Sequence, residues 1–152
     1  MAFRVLSIDG GGMRGIYSAS YLAALERGFC TQMNVQSLDV GKAFQLIVGT
    51  STGAIIGCAL AKGVPLDRIV TLYKQNGARI FPRKMPSSFG WDLLTQWRER
   101  PALLREGTKA LREALAGVDV FHQTTMKELW DERGIALAIP AVNMGTYRAW
   151  VF

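Results

Sequence analysis

The chain opens on two short hydrophobic runs, each followed by a cluster of glycines and then by a change of period. Phe3-Arg-Val-Leu-Ser-Ile8 alternates in part and is β-branched, which predicts a buried strand. The glycine turn Asp9 to Gly12 follows. From Met13 the spacing shifts to Ile16, Tyr17, Ala19, Ser20, Ala23 and Ala24, a helix whose small residues suit close packing on a sheet, with Gly28 expected to end it. The second unit repeats the first. Phe44-Gln-Leu-Ile-Val48 predicts a strand, Gly49 to Gly53 a tight turn, and Ala54 to Lys62 a helix of small residues stopped by Gly63. Pro65 suits the first turn of a further helix running to about Asn76, with Gly77 after it.

The rest of the pattern is less regular. Arg79 to Pro101 contains Pro82, Pro86, Gly90 and the aromatics Phe81, Phe89, Trp91 and Trp97. Ala102 to Ala116 reads as a helix. Thr124 or Thr125 starts another through Trp130, closed by Gly134. Ile135 to Val142 and Tyr147 to Phe152 read as strands joined through a turn at Asn143 to Thr146. Successive strand–turn–helix units imply a parallel sheet with helical crossovers. The expected class is therefore α/β, a largely parallel central sheet flanked by helices. The apolar run Ala149-Trp-Val-Phe152 adds the expectation that the sheet is truncated on its C-terminal side and that the parent protein is longer. Residues 1–152 would then be the N-terminal part of a single domain.

Composition narrows the class without choosing a function. With 49% hydrophobic and 20% charged residues in 152, the chain is that of a globular protein with a real core. Phe44 to Lys62 is the most apolar stretch, and Gly49, Gly53, Gly57 and small polar residues break it well short of a membrane span. Phe3 to Ile8 is too short for the apolar part of a signal peptide, so a cytoplasmic setting is expected. Cys30 and Cys58 fit no metal spacing and read as free thiols. A net charge of +6 favours anionic surfaces, yet no zinc-finger spacing or basic heptad pattern supports binding to nucleic acid.

The chemistry lies in the two glycine turns. Gly49-Thr50-Ser51-Thr52-Gly53 is a G-x-S-x-G pentapeptide between a hydrophobic strand and a small-residue helix, the setting of a nucleophile elbow. A serine at such a sharp turn is backbone-strained, and side chains two residues to either side would clash. Gly49 and Gly53 remove that clash, and the helix beneath favours negative charge developing at Ser51. The plainer reading is a glycine turn whose serine caps the next helix. Asp9-Gly10-Gly11-Gly12-Met13-Arg14-Gly15 also follows a strand and opens a helix. Its consecutive N–H groups could line a concavity for an oxyanion or a phosphate, with Arg14 adding a positive charge.

Gly10 to Gly15 also satisfies G-x-G-x-x-G. A dinucleotide site needs an acidic residue at the end of a second strand, and Asp39 falls in the polar stretch Asn34 to Lys42 instead. Neither turn ends as a Walker A loop does. An acyl hydrolase is the reading that uses both turns in one site.

At these residues the sequence resembles the patatin-like phospholipases, which pair an N-terminal D-G-G-G-x-R-G loop with a G-x-S-x-G elbow some 40 residues later. Asp9 to Gly15 and Gly49 to Gly53 match both motifs, and the region from Thr125 to Phe152 looks like the family's continuation. The resemblance implies a serine lipid acyl hydrolase of phospholipase A type acting through a Ser–Asp dyad. Ser51 would be the nucleophile, and the N–H groups of Gly10, Gly11 and Gly12 would form the oxyanion hole. Asp9, Arg14, Gly15, Gly49 and Gly53 would support them. It implies a phospholipid substrate and neither metal nor organic cofactor; peripheral membrane contact is an expectation from the basic and aromatic segment between Arg79 and Arg112. The dyad aspartate of that family precedes a glycine well beyond the elbow. Asp67, Asp92, Asp119 and Asp131 do not precede one, so the base is expected beyond this chain and the 152 residues alone are expected to be inactive. The alternative is a non-catalytic lipid- or phosphate-binding module with an idle Ser51.

Two further features have ordinary explanations. His122, the only histidine, lies in a connecting segment with no evident route to the elbow. Between Arg79 and Arg112 the cations Arg79, Arg83, Lys84, Arg98, Arg100, Arg105, Lys109 and Arg112 interleave with aromatics, which suits an anionic lipid surface or, more plainly, a solvated helical face.

Overall fold

In a computed structural model the described residues are 2–80, 105–116, 124–143 and 145–152. Strand β1 (Val5–Ile8) leads through a 3₁₀ turn (Gly12–Arg14) into α1 (Gly15–Met33), and a second 3₁₀ turn (Val40–Ala43) leads into β2 (Leu46–Gly49). Helices α2 (Thr52–Lys62) and α3 (Leu66–Ile80) follow, then a helix over 105–116, called α4 here, and α5 (Met126–Arg133). The chain continues with β3 (Ala136–Ala138), β4 (Pro140–Asn143) and β5 (Arg148–Val151). The first three strands form a parallel sheet in the order β1-β2-β3, with Val5 opposite Leu46 and Leu46 opposite Ala136. The protein is thus a mixed α/β fold built on a parallel sheet, as its period changes predict.

Strand alternation decides which side is covered. Ile8, Ile47 and Gly49 are buried, while Val5 and Ser7 are exposed and Leu46 and Val48 half-buried. The covered face packs under α2, whose Gly57 leaves only 3.0 Å between a would-be Cβ and Ile47 Cγ2. Above it the core gathers Ala19 and Ala23 of α1, Ile56 and Leu60 of α2, Leu66, Ile69 and Tyr73 of α3, and Ile135. Beside this core, α3 and α4 share a smaller cluster of Leu72, Ile80, Ala110 and Ala114, with Arg79 paired to Glu113 at 3.1 Å.

Several expected boundaries move. Helix α1 runs past Gly28 to Met33, because Gly28 keeps helical geometry in open space and Asn34 takes the left-handed conformation (φ 53, ψ 45) that ends the helix. The main neighbours of α1 are α3 and α2, not the strands on which its small residues were expected to pack. Helix α3 continues through Asn76 and Gly77 to Ile80. The expected strand from Ile135 to Val142 divides at Ile139: β3 extends the parallel sheet, whereas β4 pairs antiparallel with β5. Asn143 supports the turn between them, its Oδ1 accepting from the N–H groups of Gly145 (2.9 Å) and Thr146 (3.2 Å). Gly63 (φ 81) and Gly134 (φ 66) do end α2 and α5 in the left-handed conformation. Thr125 caps α5, its hydroxyl accepting from the Glu128 N–H while Glu128 accepts from the Thr125 N–H. The Thr125 N–H and the Thr125 hydroxyl both donate to the Glu128 carboxylate and hold it below its ordinary value.

Arg133 ties three elements together. Its guanidinium pairs with Asp39 at 2.7 Å and its Nε donates to the Ala61 carbonyl near the end of α2. The Arg133 side chain is 17% exposed and that of Asp39 32%, so the pair is only partly screened by water. Arg133→Met, which keeps the aliphatic stem, is expected to cost about 2 kcal/mol in urea unfolding. A loss below about 0.5 kcal/mol would mark the pair as an ordinary surface contact.

Candidate active site

The two glycine turns meet at the same end of the parallel sheet, because β1 and β2 run side by side in register and both end there. The Thr50 N–H donates to the Ile8 carbonyl at 3.2 Å, carrying the pairing one step beyond β2. Ser51 then takes φ 55 and ψ −121, a backbone conformation outside the ordinary wells of an L residue. The turn closes through Gly53 N–H to Thr50 O (2.9 Å) and Ala54 N–H to Ser51 O (3.0 Å), and α2 begins at Thr52. Ser51 is exposed, and its hydroxyl makes no hydrogen bond among the described residues, so it does not cap α2.

Each glycine of the pentapeptide answers a specific crowding. A Cβ on Gly49 would stand 2.7 Å from the Ala54 backbone, and one on Gly53 would overlap the Ile8 carbonyl. The other loop is fitted to the elbow in the same way. A Cβ on Gly10 would lie 2.7 Å from Thr50 O and 2.8 Å from Ser51 Cβ, and one on Gly15 3.1 Å from the Thr52 side chain. Gly12 has a positive φ of 58, and the loop closes with Arg14 N–H donating to Gly11 O at 3.1 Å. The N–H groups of Gly10, Gly11 and Gly12 donate to no other group among the described residues. Spare donors beside a strained, exposed hydroxyl are what stabilisation of a tetrahedral oxyanion requires.

The structure therefore brings Gly10, Gly15, Gly49, Ser51 and Gly53 together. Asp9 contributes its backbone, the carbonyl oxygen lying 2.9 Å from a would-be Gly53 Cβ. Its exposed carboxylate accepts no hydrogen bond among the described residues. Arg14 is exposed beside Gly11. No described carboxylate reaches Ser51. Asp67 pairs with Arg27 at 3.1 Å, Asp131 with Lys127, and Asp39 with Arg133. His122, Asp92 and Asp119 lie outside the described residues, as do Phe81, Phe89, Trp91 and Trp97 and the cations Arg83, Lys84, Arg98 and Arg100.

Two buried groups beneath the elbow were not singled out by the sequence pattern. The Thr52 hydroxyl is buried at the seam between the loops without a hydrogen-bond partner among the described residues. Tyr73 of α3 is fully buried and its hydroxyl donates to the Thr52 carbonyl at 3.4 Å. Its only sequence signal is a polar tip at an apolar position of an otherwise regular stripe. Cys30 and Cys58 are free and half-buried, and burial pushes the Cys58 thiol up. Among the described residues no three His, Cys, Asp or Glu side chains gather as metal ligands, and no helix is long and apolar enough to cross a membrane.

Comparison with known proteins identifies the family of the chain. A family model described as patatin-like phospholipase matches residues 6–149. The chain is 31% identical over 153 aligned residues to a cGAMP-activated phospholipase of Vibrio cholerae, covering 98% of this chain and 40% of that protein. It is 32% identical to a protein of the same description from Pseudomonas aeruginosa, covering 99% and 39%. With phospholipase A I of Arabidopsis thaliana the identity is 28%, covering 92% of this chain and 10% of the relative. The chain thus spans about two fifths of the length of these bacterial relatives.

Proposed function

Because the chain belongs to the patatin-like phospholipase family, we propose that it carries the nucleophile and oxyanion hole of a serine hydrolase that cleaves fatty acyl esters of phospholipids. The observation that carries this reading is the backbone of Ser51 (φ 55, ψ −121), held at the sheet end with Gly10 packed against it. Strain of this kind persists only where the surroundings enforce it, and it keeps the hydroxyl clear of its own backbone.

In the proposed reaction Ser51 Oγ attacks the ester carbonyl carbon and its proton passes to a base. The N–H groups of Gly10, Gly11 and Gly12 receive the negative charge on the former carbonyl oxygen. Collapse breaks the ester C–O bond, the alcohol portion leaves with a proton from the base, and an acyl-serine remains. Water, deprotonated by the same base, attacks that ester, and the fatty acid departs as Ser51 regains its proton.

The base is an aspartate outside residues 1–152. None of Asp67, Asp92, Asp119 and Asp131 precedes a glycine, no described carboxylate accepts a hydrogen bond from Ser51, and in water an unassisted serine is a weak nucleophile. We read residues 1–152 as the N-terminal part of one catalytic domain whose remainder supplies that carboxylate. Isolated, these residues hydrolyse esters poorly or not at all.

The test is labelling by a fluorophosphonate, which forms a stable phosphonyl-serine. The full-length native protein should label at Ser51 and release fatty acid from phospholipid vesicles. An unlabelled Ser51 in a folded full-length protein would leave a binding module as the better account.

A further inference from the structure

We propose that α3 is the common brace of the two glycine loops, and that Tyr73 and Gly77 are positioning residues that set where the N–H groups of residues 10–12 stand relative to Ser51. This rests on the reading of Ser51 as a nucleophile. Tyr73 and Gly77 are four residues apart on α3 and so share one face, about one turn from each other. Each meets a different half of the site.

The Tyr73 side chain is fully buried, and a buried tyrosine hydroxyl needs a partner. Its partner is the carbonyl of Thr52, the residue directly after Ser51, at 3.4 Å. Burial pushes the phenol up to about 12, so the group remains a donor at neutral pH. The contact pins the first peptide of α2, from which the strained turn departs.

One turn further along, Gly77 is buried and a Cβ there would overlap Met13 Sδ and Cε. Met13 follows Gly12 directly and belongs to the 3₁₀ turn that closes the glycine loop. Met13 is 39% exposed and only the far end of its side chain lies on α3, so the contact tethers the loop from outside without locking it. This also explains why a glycine, which weakens a helix interior, stands inside α3 and does not end it. Between them the two contacts hold elbow and loop to one rigid element. A misplacement of about 1 Å at a reacting centre can cost about a hundredfold in rate.

The test is the rate of fluorophosphonate labelling at Ser51 in the full-length protein, read beside the thermal midpoint. Gly77→Ala should slow labelling about threefold, since it displaces the end of the Met13 side chain that tethers the loop. Its midpoint should fall only slightly, because the preference of alanine for the helix offsets part of the cost of displacing a side chain that can yield. Tyr73→Phe, which removes only the hydroxyl, should also slow labelling. Gly77→Ala made in a Met13→Ala background should cause no further slowing, because the clash is gone. Gly28→Ala is the matched control: nothing lies within 4 Å of a Cβ there, so labelling should keep the wild-type rate.

Wild-type labelling rates in Gly77→Ala or in Tyr73→Phe would overturn the proposal, as would equal slowing by Gly77→Ala with and without Met13. Absence of labelling in the wild-type protein would overturn the hydrolase reading and this inference together. A wild type that labels while both α3 variants match it overturns this inference alone.

Discussion

Ser51→Gly is expected to make the protein more stable and chemically inert in the same step. Ser51 holds φ 55 and ψ −121, and a non-glycine residue in such a region costs on the order of 1–3 kcal/mol. Glycine relieves that cost while giving up about 0.5–1 kcal/mol through the greater freedom of the unfolded chain. The net gain is about 1 kcal/mol, which for a domain of this size raises the thermal midpoint by about 2–4 °C. Ser51→Ala keeps the Cβ and with it the strain, so its midpoint should match the wild type. Both variants should lose labelling at this position, and ester turnover by the full-length protein should fall by about 10³-fold or more. The pair separates strain from chemistry. If Ser51→Gly melts below Ser51→Ala, the strain is not there; if either still turns over ester, another group is the nucleophile.

Gly53→Ala should have the largest effect on stability. The added methyl would overlap the Ile8 carbonyl oxygen, stand 2.8 Å from the Ile8 carbonyl carbon and 2.9 Å from the Asp9 carbonyl oxygen. All three are backbone atoms of β1 and the loop that follows it, so no side-chain rotation can relieve the contact. Overpacking a tight site costs about 1–3 kcal/mol even where side chains can yield. Here the loss should reach about 3 kcal/mol or more, as β1 and α2 are forced apart. Urea unfolding measures it, and Gly28→Ala, the same chemical change in open space, should instead stabilise by about 0.4–1 kcal/mol. Comparable values for the two variants would mean that β1 and α2 can separate freely.

The contrast among glycines also shows what was legible in the sequence. The elbow and the first loop could be read because both carry a recognisable spacing of glycines after a strand, although only Gly49 is crowded from within its own turn, while Gly10, Gly15 and Gly53 are crowded by the opposite chain. Helix ends were less legible. Gly63 and Gly134 are left-handed caps, whereas Gly28 and Gly77 keep helical geometry, and no local pattern separates the two uses. Gly77 is a glycine because of Met13, 64 positions away, and such a contact exists only after folding. Asn34 took the cap expected of Gly28. The division at Ile139 was hidden for a related reason. An apolar run satisfies both sheets, and its one sequence mark is Pro140, which cannot donate to a ladder and opens β4 directly after Ile139 exchanges hydrogen bonds with Phe152 (2.9 and 3.1 Å). Ser51 and the glycines fitted against it were all named from sequence. Tyr73 was not, because a buried tyrosine reads as core.

The fit of Gly10 and Gly53 against the opposite chain has a consequence for anyone wishing to transplant the site. The pentapeptide is not a portable cassette. Set into another scaffold, its second glycine would still need a neighbouring parallel strand whose last carbonyl comes close enough to occupy the missing side chain's place, and its serine would still need a glycine facing it from that strand's exit. A grafting design should therefore move both strand ends as one object, and a search for further examples gains selectivity by requiring the upstream glycine that belongs to the adjacent strand.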